Sequence, residues 1–349
     1  MVRSRAVIRI AGVLAGLMLL SCTAAPESGS RAADVDGVRT VVDQLETPWS
    51  VVFAGTTPII SERDTGRIVE IAAGRAREIG SVAGVEAVGE SGLLGLALRD
   101  GFLYAYSTGA ETNRIHRYPL IGEPGSLRLG AAETVLDGIP AASYHDGGRI
   151  AFGPDGMLYA TAGDAGTSSN AQDLRSLGGK ILRMTPEGGV PADNPFPGSL
   201  VYSYGHRNPQ GLAWAPDGTL YSSEFGADAW DELNVIEPGA NYGWPMAEGI
   251  AGRDGLVDPV QQWTPSQASP SGIAIDGTSI YIANLRGERL RVVPLTDPTR
   301  SRELLTDRFG RLRDVAIAPD GELRILTSNT DGRGDPEPGD DRMLALPAP

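Results

Sequence analysis

The chain contains three histidines, and the spacing around one of them suits a base. In Tyr144-His145-Asp146-Gly147-Gly148-Arg149-Ile150-Ala151-Phe152-Gly153-Pro154-Asp155-Gly156-Met157-Leu158-Tyr159-Ala160-Thr161-Ala162-Gly163-Asp164 two apolar runs flank a Gly-Pro-Asp-Gly turn. That is the pattern of a β-hairpin. Centring the turn between Pro154 and Asp155 and counting outward sets Arg149 opposite Ala160 and His145 opposite Asp164. A carboxylate against an imidazole fixes its tautomer and raises its basicity, as a general base requires. The same two residues also fit a pair of unrelated solvated loops, because one bulge would change the register.

The second chemical element is arginine. The hairpin recurs as Trp214-Ala215-Pro216-Asp217-Gly218-Thr219-Leu220-Tyr221 and as Ile317-Ala318-Pro319-Asp320-Gly321-Glu322-Leu323-Arg324. The same count puts Arg207 opposite Gly226 and brings Arg311 to the matching level, with Arg313 just inside. Arg286 follows a weaker copy at a comparable place. Guanidinium pairs bidentately with carboxylate or phosphate. In a chain of net charge −14, such a cluster points to a ligand with several anionic groups. A lone exposed arginine is more often a surface ion-pair partner of little worth; arginines at matching levels argue for a site.

Other residues carry less. Glu224-Phe225-Gly226-Ala227-Asp228 offers carboxylate and carbonyl oxygen to a hard cation such as calcium, although acidic loops are common in a chain with 44 acids. The aromatics of Trp230-Asp231-Glu232-Leu233-Asn234 and Asn241-Tyr242-Gly243-Trp244-Pro245 suit stacking on a ligand and equally suit packing between strands. His116 reads as a strand residue and His206 as a hydrogen-bonding neighbour of Arg207. There is no Gly-x-Ser-x-Gly elbow, Walker loop or zinc spacing.

Positioning these groups falls to a repeated strand pair. Weaker copies are Leu98-Arg99-Asp100-Gly101-Phe102-Leu103-Tyr104, Ile275-Asp276-Gly277-Thr278-Ser279-Ile280-Tyr281 and the stretch Val52 to Ile60. The turn glycines Gly55, Gly101, Gly156, Gly218, Gly277 and Gly321 lie 46, 55, 62, 59 and 44 residues apart, which leaves room for two more strands per repeat. Four strands repeated around an axis make a propeller blade, so the spacing predicts an all-β, six-bladed β-propeller over residues 37–349. The 46 glycines, 25 prolines and 41% hydrophobic residues fit many short strands around a sizeable core, and helical periodicity is nearly absent. A strand near Val38 to Val42 is placed to pair with Met343 to Leu346 and close the ring. Loops 165–178, 187–200, 239–271 and 331–342 are expected to roof one face and shape the site.

Several segments together resemble a known family. They are Ser203-Tyr204-Gly205-His206-Arg207-Asn208-Pro209-Gln210-Gly211-Leu212-Ala213, Gly179-Lys180-Ile181-Leu182-Arg183, Asp231-Glu232-Leu233-Asn234, Asn241-Tyr242-Gly243-Trp244-Pro245, Gly92-Leu93-Leu94-Gly95 and Arg311-Leu312-Arg313-Asp314-Val315. They resemble soluble quinoprotein sugar dehydrogenases, the glucose/sorbosone or aldose sugar dehydrogenase family, and actinobacterial lipoproteins within it, over about residues 45–330. The resemblance implies a six-bladed propeller that holds pyrroloquinoline quinone (PQQ) and calcium on its axis and oxidises aldoses. On matching positions, His145 would take the C1 hydroxyl proton as hydride passes to the quinone, and Asp164 would orient it. Glu90, Arg207, Asn208, Gln210, Arg286, Arg311 and Arg313 would hold the cofactor, whose three carboxylates match the arginines. Gly226 and Ala227 would offer carbonyl oxygens to calcium.

This chain departs from the family pattern at four positions. Glu90 stands where better-known glucose enzymes have glutamine, Arg286 where they have lysine, Ala227 where they have proline and Phe225 where they have histidine. The expected partners are a sugar and an external electron acceptor of unspecified identity. Two other functions fit a propeller of this kind. One is a non-catalytic lipoprotein binding an envelope component or a protein; the other is a calcium-dependent lactonase, which requires a carboxylate-rich metal centre.

The net charge argues against nucleic acid and against charge-driven attachment to anionic lipid. Arg3, Arg5 and Arg9 precede the apolar run Ile10 to Leu20, which is shorter than the ~20 residues of a spanning helix. It ends in Leu19-Leu20-Ser21-Cys22, and Cys22 is the only cysteine, so no intramolecular disulfide can form. The pattern resembles a bacterial lipobox, with residues 1–22 a signal peptide ending at the lipidated cysteine and 23–36 a flexible tether. The only membrane contact expected is this lipid anchor, on the outer face of the cell membrane. An ordinary signal peptide with an incidental cysteine is the alternative. Intact-mass measurement of protein extracted from membranes of the native host should show a diacylglycerol adduct at Cys22, and Cys22→Ala should leave the membrane fraction. A freely soluble, unmodified mature protein would overturn the lipobox reading.

Overall fold

A computed structural model describes residues 37–347; Cys22 and the segments 1–22 and 23–36 lie outside the described residues. The chain forms six antiparallel sheets, each of four strands apart from a two-residue addition at Arg128–Leu129. The innermost strands are Pro48–Ala54, Leu93–Arg99, Ile150–Phe152, Pro209–Trp214, Pro270–Ile275 and Leu312–Ile317, and each touches the innermost strands beside it. This is the expected six-bladed propeller. Its sixth blade takes its outer strand from Arg39–Val42, which pairs with Met343–Leu346 through Arg39↔Ala345 and Thr40↔Leu344. The seam lies where the sequence placed it. One expected loop is partly strand: within 239–271, Gln261–Trp263 forms the outer strand of blade 4.

The hydrophobic core is divided. Six apolar clusters lie between adjacent blades rather than at the axis. Ile59, Leu93 and Leu103 fill the gap between blades 1 and 2, while Tyr281, Leu290, Leu323 and Leu344 fill that between blades 5 and 6. Each sheet is apolar on both faces, which is why strands such as Leu158–Ala162 and Leu323–Thr327 are buried at every residue.

The repeated Pro-Asp-Gly turns have three residues, not two. Gly153 N–H donates to the carbonyl of Met157, and Gly156 N–H closes back on Gly153; the turns after Ala215 and Ala318 repeat this. Each turn aspartate caps its own loop, with Asp155, Asp217 and Asp320 accepting from the backbone N–H two residues on, an Asx turn. The following glycine is left-handed in all six repeats (φ 58° to 97°), which explains its recurrence. The added residue shifts the register, so Ile150, not Arg149, pairs with Ala160.

In blades 4 and 6 a bulge reverses that shift. Pairing slips by one between Pro209 and Gly211 and between Leu312 and Asp314, leaving Gln210 and Arg313 as the extra residues. Blade 1 has the same irregularity between Pro48 and Ser50, around Trp49. Bulges re-aim side chains. Here they gather Trp49, Gln210 and Arg313 on the axis: Arg313 Nη1 donates to Gln210 Oε1 at 2.9 Å and its guanidinium lies 5.8 Å from the Trp49 ring.

Just below them the axis is closed by Arg149 and Asp314, a buried pair at 3.1 Å. Asp314 also accepts from Val51 N–H at 3.0 Å. Arg149 donates to the carbonyl of Gln210 and to Ser50 Oγ, and Leu96 N–H reaches the same hydroxyl. Removing one member of a buried pair strands the other charge, which typically costs about 3–5 kcal/mol. Asp314→Ala should therefore lower unfolding free energy by that order in urea titrations, and a double change of Arg149 to Met and Asp314 to Leu should recover much of it. A loss under ~1 kcal/mol would show that the pair is dispensable.

Candidate functional site

His145 and Asp164 meet at the upper end of blade 3, though not as a register pair. The ladder count places His145 beside Ala165, whose N–H donates to the His145 carbonyl. Left-handed backbone at His145 (φ 62°) and Ala165 (φ 51°) then turns the imidazole onto Asp164, with Nδ1 2.8 Å from Oδ1. Gly163 lies between them, where a Cβ would sit 1.9 Å from the His145 carbonyl oxygen. Asp164 Oδ1 also accepts from Gly166 N–H, and Oδ2 accepts from Trp244 Nε1 at 2.8 Å. Burial works against charge on Asp164, but these donors outweigh it and hold the carboxyl below its usual range. The ionised carboxylate accepts a hydrogen bond from Nδ1–H, which leaves Nε2 with its lone pair.

Beside this pair lies a cleft of about 290 Å³ lined by Glu90, Gln210, Phe225, Arg286, Arg311, Arg313 and Arg333, among others. Five of the seven residues expected to hold a cofactor are in that lining. Arg207 and Asn208 stand at its edge: Asn208 Nδ2 reaches Glu90 Oε2 at 3.4 Å, and Arg207 lies 5.5 Å from the Trp244 ring. Positive charge in the cleft is only partly compensated. Asp331 pairs with Arg311 at 2.9 Å and lies 3.8 Å from Arg313. Arg313 is buried with Nε unpartnered, and burial pushes its guanidinium down to about 9. Arg286 is exposed and has no ion-pair partner among the described residues. Such a donor set suits an anion with several carboxylates.

Glu90 is held on both oxygens, with Oε1 3.3 Å from Arg333 Nη1 and Oε2 accepting His145 N–H at 3.1 Å. Its charge is therefore met by the protein, and it helps set the backbone of the candidate base. Arg333 was not visible as a site residue because it lies in the loop 331–342, outside any repeat from which to count. Trp244 was visible only as an aromatic; its N–H on Asp164 depends on a loop folding back across the blade. That loop is pinned by Gln172 Nε2 on the Trp244 carbonyl at 2.7 Å. Lys180 in turn donates to the carbonyls of Asn170, Ala171 and Gly178.

Arg207 and Asn208 are positioned by Glu224. Its Oε1 accepts both backbone N–H groups and its Oε2 accepts from His206, so His206 is a buried support. In the next loop, Glu248 Oε1 accepts the N–H groups of Ala227, Asp228, Ala229 and Trp230, and Asp231 takes that of Gly226. With these N–H groups turned inward, the carbonyl oxygens of Gly226 and Ala227 accept no protein hydrogen bond among the described residues, as a hard cation requires. Among the described residues no group of three or more His, Cys, Asp or Glu is arranged to hold a metal. The carboxylate-rich centre of the lactonase alternative is therefore missing there.

Fold and site together define a six-bladed propeller with a cationic axial well and a carboxylate-held imidazole at its lip. The chain belongs to the Glucose / Sorbosone dehydrogenase family, whose model matches residues 45–334. It is similar to the PQQ-bound aldose sugar dehydrogenase of Streptomyces coelicolor, with 51% identity and a TM-score of 0.86 over 89% of this chain and 98% of that one. A putative oxidoreductase (glucose dehydrogenase) of Thermus thermophilus is 44% identical with a TM-score of 0.80, over 89% and 99% of the two chains. The aldose sugar dehydrogenase YliI of Escherichia coli is 29% identical across 84% of this chain and 91% of its own.

Next to the base, Asp146 is buried, with Oδ1 accepting from Asn113 and Ala142 and Oδ2 unpartnered. Burial pushes its carboxyl up to about 6 from an ordinary 3.8. Below pH ~4 the folded and unfolded chains both hold this proton. As pH rises toward 6 the unfolded chain releases it first, so stability falls by about 2–3 kcal/mol across that window and then levels. Urea midpoints measured from pH 4 to 7 should show this decline in the wild type and a flatter profile in Asp146→Asn. Parallel profiles would show that Asp146 is not the group responsible.

Proposed function

We propose that the protein oxidises an aldose at C1, with PQQ and calcium held in the axial well. The reading is carried by the carboxylate-held imidazole of His145 at the lip of an under-compensated arginine cluster. The PQQ-bound relative at 51% identity supports the choice of cofactor. When bound, PQQ supplies a two-electron acceptor for the hydride leaving C1. Arg286, Arg311 and Arg313, with Arg207, Asn208 and Gln210, would hold its carboxylates, and the carbonyls of Gly226 and Ala227 would offer oxygen to the calcium. His145 Nε2 takes the proton of the C1 hydroxyl, and Asp164 stabilises the imidazolium so formed. Glu90, neutralised by Arg333 and by backbone N–H, holds His145 in place without adding an uncompensated charge beside the anion. Turnover would require an external acceptor for the two electrons. Residues 1–22 deliver the enzyme to the envelope and Cys22 anchors it there.

His145→Ala should lower turnover by ~10²–10⁴-fold, the usual worth of a general base, with quinone affinity little changed. Asp164→Asn should cost less and shift the pH profile, because an amide orients an imidazole but does not stabilise its cation. Arg311→Ala should weaken quinone binding by ~1.5–3 kcal/mol, the scale of a charge-assisted hydrogen bond. Dye-linked sugar oxidation and quinone titration of the purified protein read all three. Quinone-loaded wild type that oxidises no aldose would favour the non-catalytic alternative, and activity surviving His145→Ala would place the base elsewhere.

A further inference from the structure

Three donors hold the Asp164 carboxylate among the described residues, and one of them comes from outside blade 3. His145 Nδ1 and Gly166 N–H share Oδ1, whereas Oδ2 receives only Trp244 Nε1, at 2.8 Å. Asp164 is buried. Without the indole, Oδ2 would be a buried acceptor with no partner, and the carboxylate would be free to turn about its Oδ1 contacts. The loop that carries Trp244 is fastened on both sides of the ring. Trp244 N–H donates to the Gly205 carbonyl at 2.9 Å, and its own carbonyl accepts from Gln172 Nε2 at 2.7 Å. Gln172 also exchanges two side-chain hydrogen bonds with Asn241, each of 2.9 Å. Gly205 is left-handed (φ 79°), and a Cβ there would lie 2.1 Å from Asn241 Oδ1, so the crossing requires glycine.

The face of the same ring carries a second contact. Arg207 lies 5.5 Å from it, within cation–π range. The Arg207 guanidinium otherwise donates only to the Phe225 carbonyl, at 3.3 Å, among the described residues. Asp164 and Arg207 are themselves neighbours, since Asp164 N–H donates to the Arg207 carbonyl at 2.8 Å. The indole thus spans the junction of blades 3 and 4, with its edge on the partner of the base and its face on an arginine of the well. We propose that Trp244 is a positioning residue that aims base and well together, acting on His145 through Asp164 and on the cofactor side through Arg207. The inference rests on the assignment of His145 as the base.

Two variants separate the contacts: Trp244→Phe removes the N–H and keeps a ring for Arg207, and Trp244→Leu removes both. Losing the donor concentrates the charge of Asp164 on the His145 side, which favours imidazolium. The His145 imidazole resonances of isotope-labelled protein without quinone, assigned with His145→Gln, should therefore titrate ~0.5–1 unit higher in both variants, the scale of one hydrogen bond. The other titratable groups around His145 are Glu90 on its backbone N–H, Tyr144 against its ring and Asp146 beside it, and none of them touches Trp244 in a hydrogen bond or ring contact. In the loaded enzyme the acid limb of kcat/KM should move to higher pH by the same amount. Titration with PQQ and calcium should give Trp244→Phe an affinity close to that of the wild type and Trp244→Leu about two- to fivefold weaker binding, the scale of a cation–π contact. Gln172→Met loosens the loop without changing the ring and should raise the His145 titration in the same direction, so it decides if the Trp244 variants do not fold. The proposal is overturned if His145 titrates no higher in Trp244→Phe than in the wild type, or if Trp244→Leu binds quinone as tightly as Trp244→Phe. The resonance measurement needs neither quinone nor sugar. A wild type that binds no quinone would overturn the function proposed above and leave the His145 titration to decide the role of Trp244.

Discussion

Arg149 and Asp314 are where the six blades meet. Ser50 and Val51 reach the pair from blade 1, Leu96 through Ser50 from blade 2, and Gln210 from blade 4. Gly272 of blade 5 packs so closely that a Cβ there would overlap Asp314 Oδ1. The apolar contacts lie between neighbouring blades, so each joins only two of them, and it is the polar axis that joins all six. A buried ion pair is weak support for stability in general. At this axis its directionality matters more, because hydrogen bonds fix the relative heights of strands that apolar packing would allow to slide.

The functional groups depend on that alignment. Arg313 and Gln210 are bulge residues of two inner strands; Arg313 directly precedes Asp314, and the Gln210 carbonyl itself accepts from Arg149. His145 lies four residues before Arg149 on the same chain segment. Base and axial plug are therefore linked through the backbone of blade 3, and the well is linked to the plug through Gln210 of blade 4 and Arg313 of blade 6. The well is electrostatically incomplete by itself: Asp331 answers two arginines, and Arg313 keeps an unmatched nitrogen. An anion with several carboxylates would complete it.

The blade count was legible because each Pro-Asp-Gly turn needs an aspartate to cap it and a left-handed glycine to close it, and both are local requirements. The ring seam was legible from two unpaired apolar runs at the ends of the repeats. Register was not. Counting from Pro154-Asp155 missed the third turn residue, and counting to Arg207 and Arg311 succeeded only because bulges at Gln210 and Arg313 cancelled the error. Bulges answer to the curvature of the closed ring, which no short stretch encodes. His145 reached Asp164 by a left-handed turn rather than by cross-strand pairing, so the residues were right and the geometry behind them was different. Arg333 and the indole N–H of Trp244 enter from loops whose paths are set by distant contacts such as Lys180 with the carbonyls of 170, 171 and 178.

The pairing of Arg39–Val42 with Met343–Leu346 bears on how the molecule is made. Five blades are built from contiguous sequence and can form in the order of synthesis, each docking on the one before. The sixth waits for two strands about 300 residues apart, and the entropy of closing so long a loop grows only slowly with its length. Distance along the chain therefore delays this step more than it weakens the result. Until it occurs, the first and last blades present unsatisfied edges, the period in which a nascent chain is most exposed to mispairing with another copy. Once it occurs, neither end of the chain can leave without breaking the pairing of Arg39–Val42 with Met343–Leu346, which opposes unfolding from the ends.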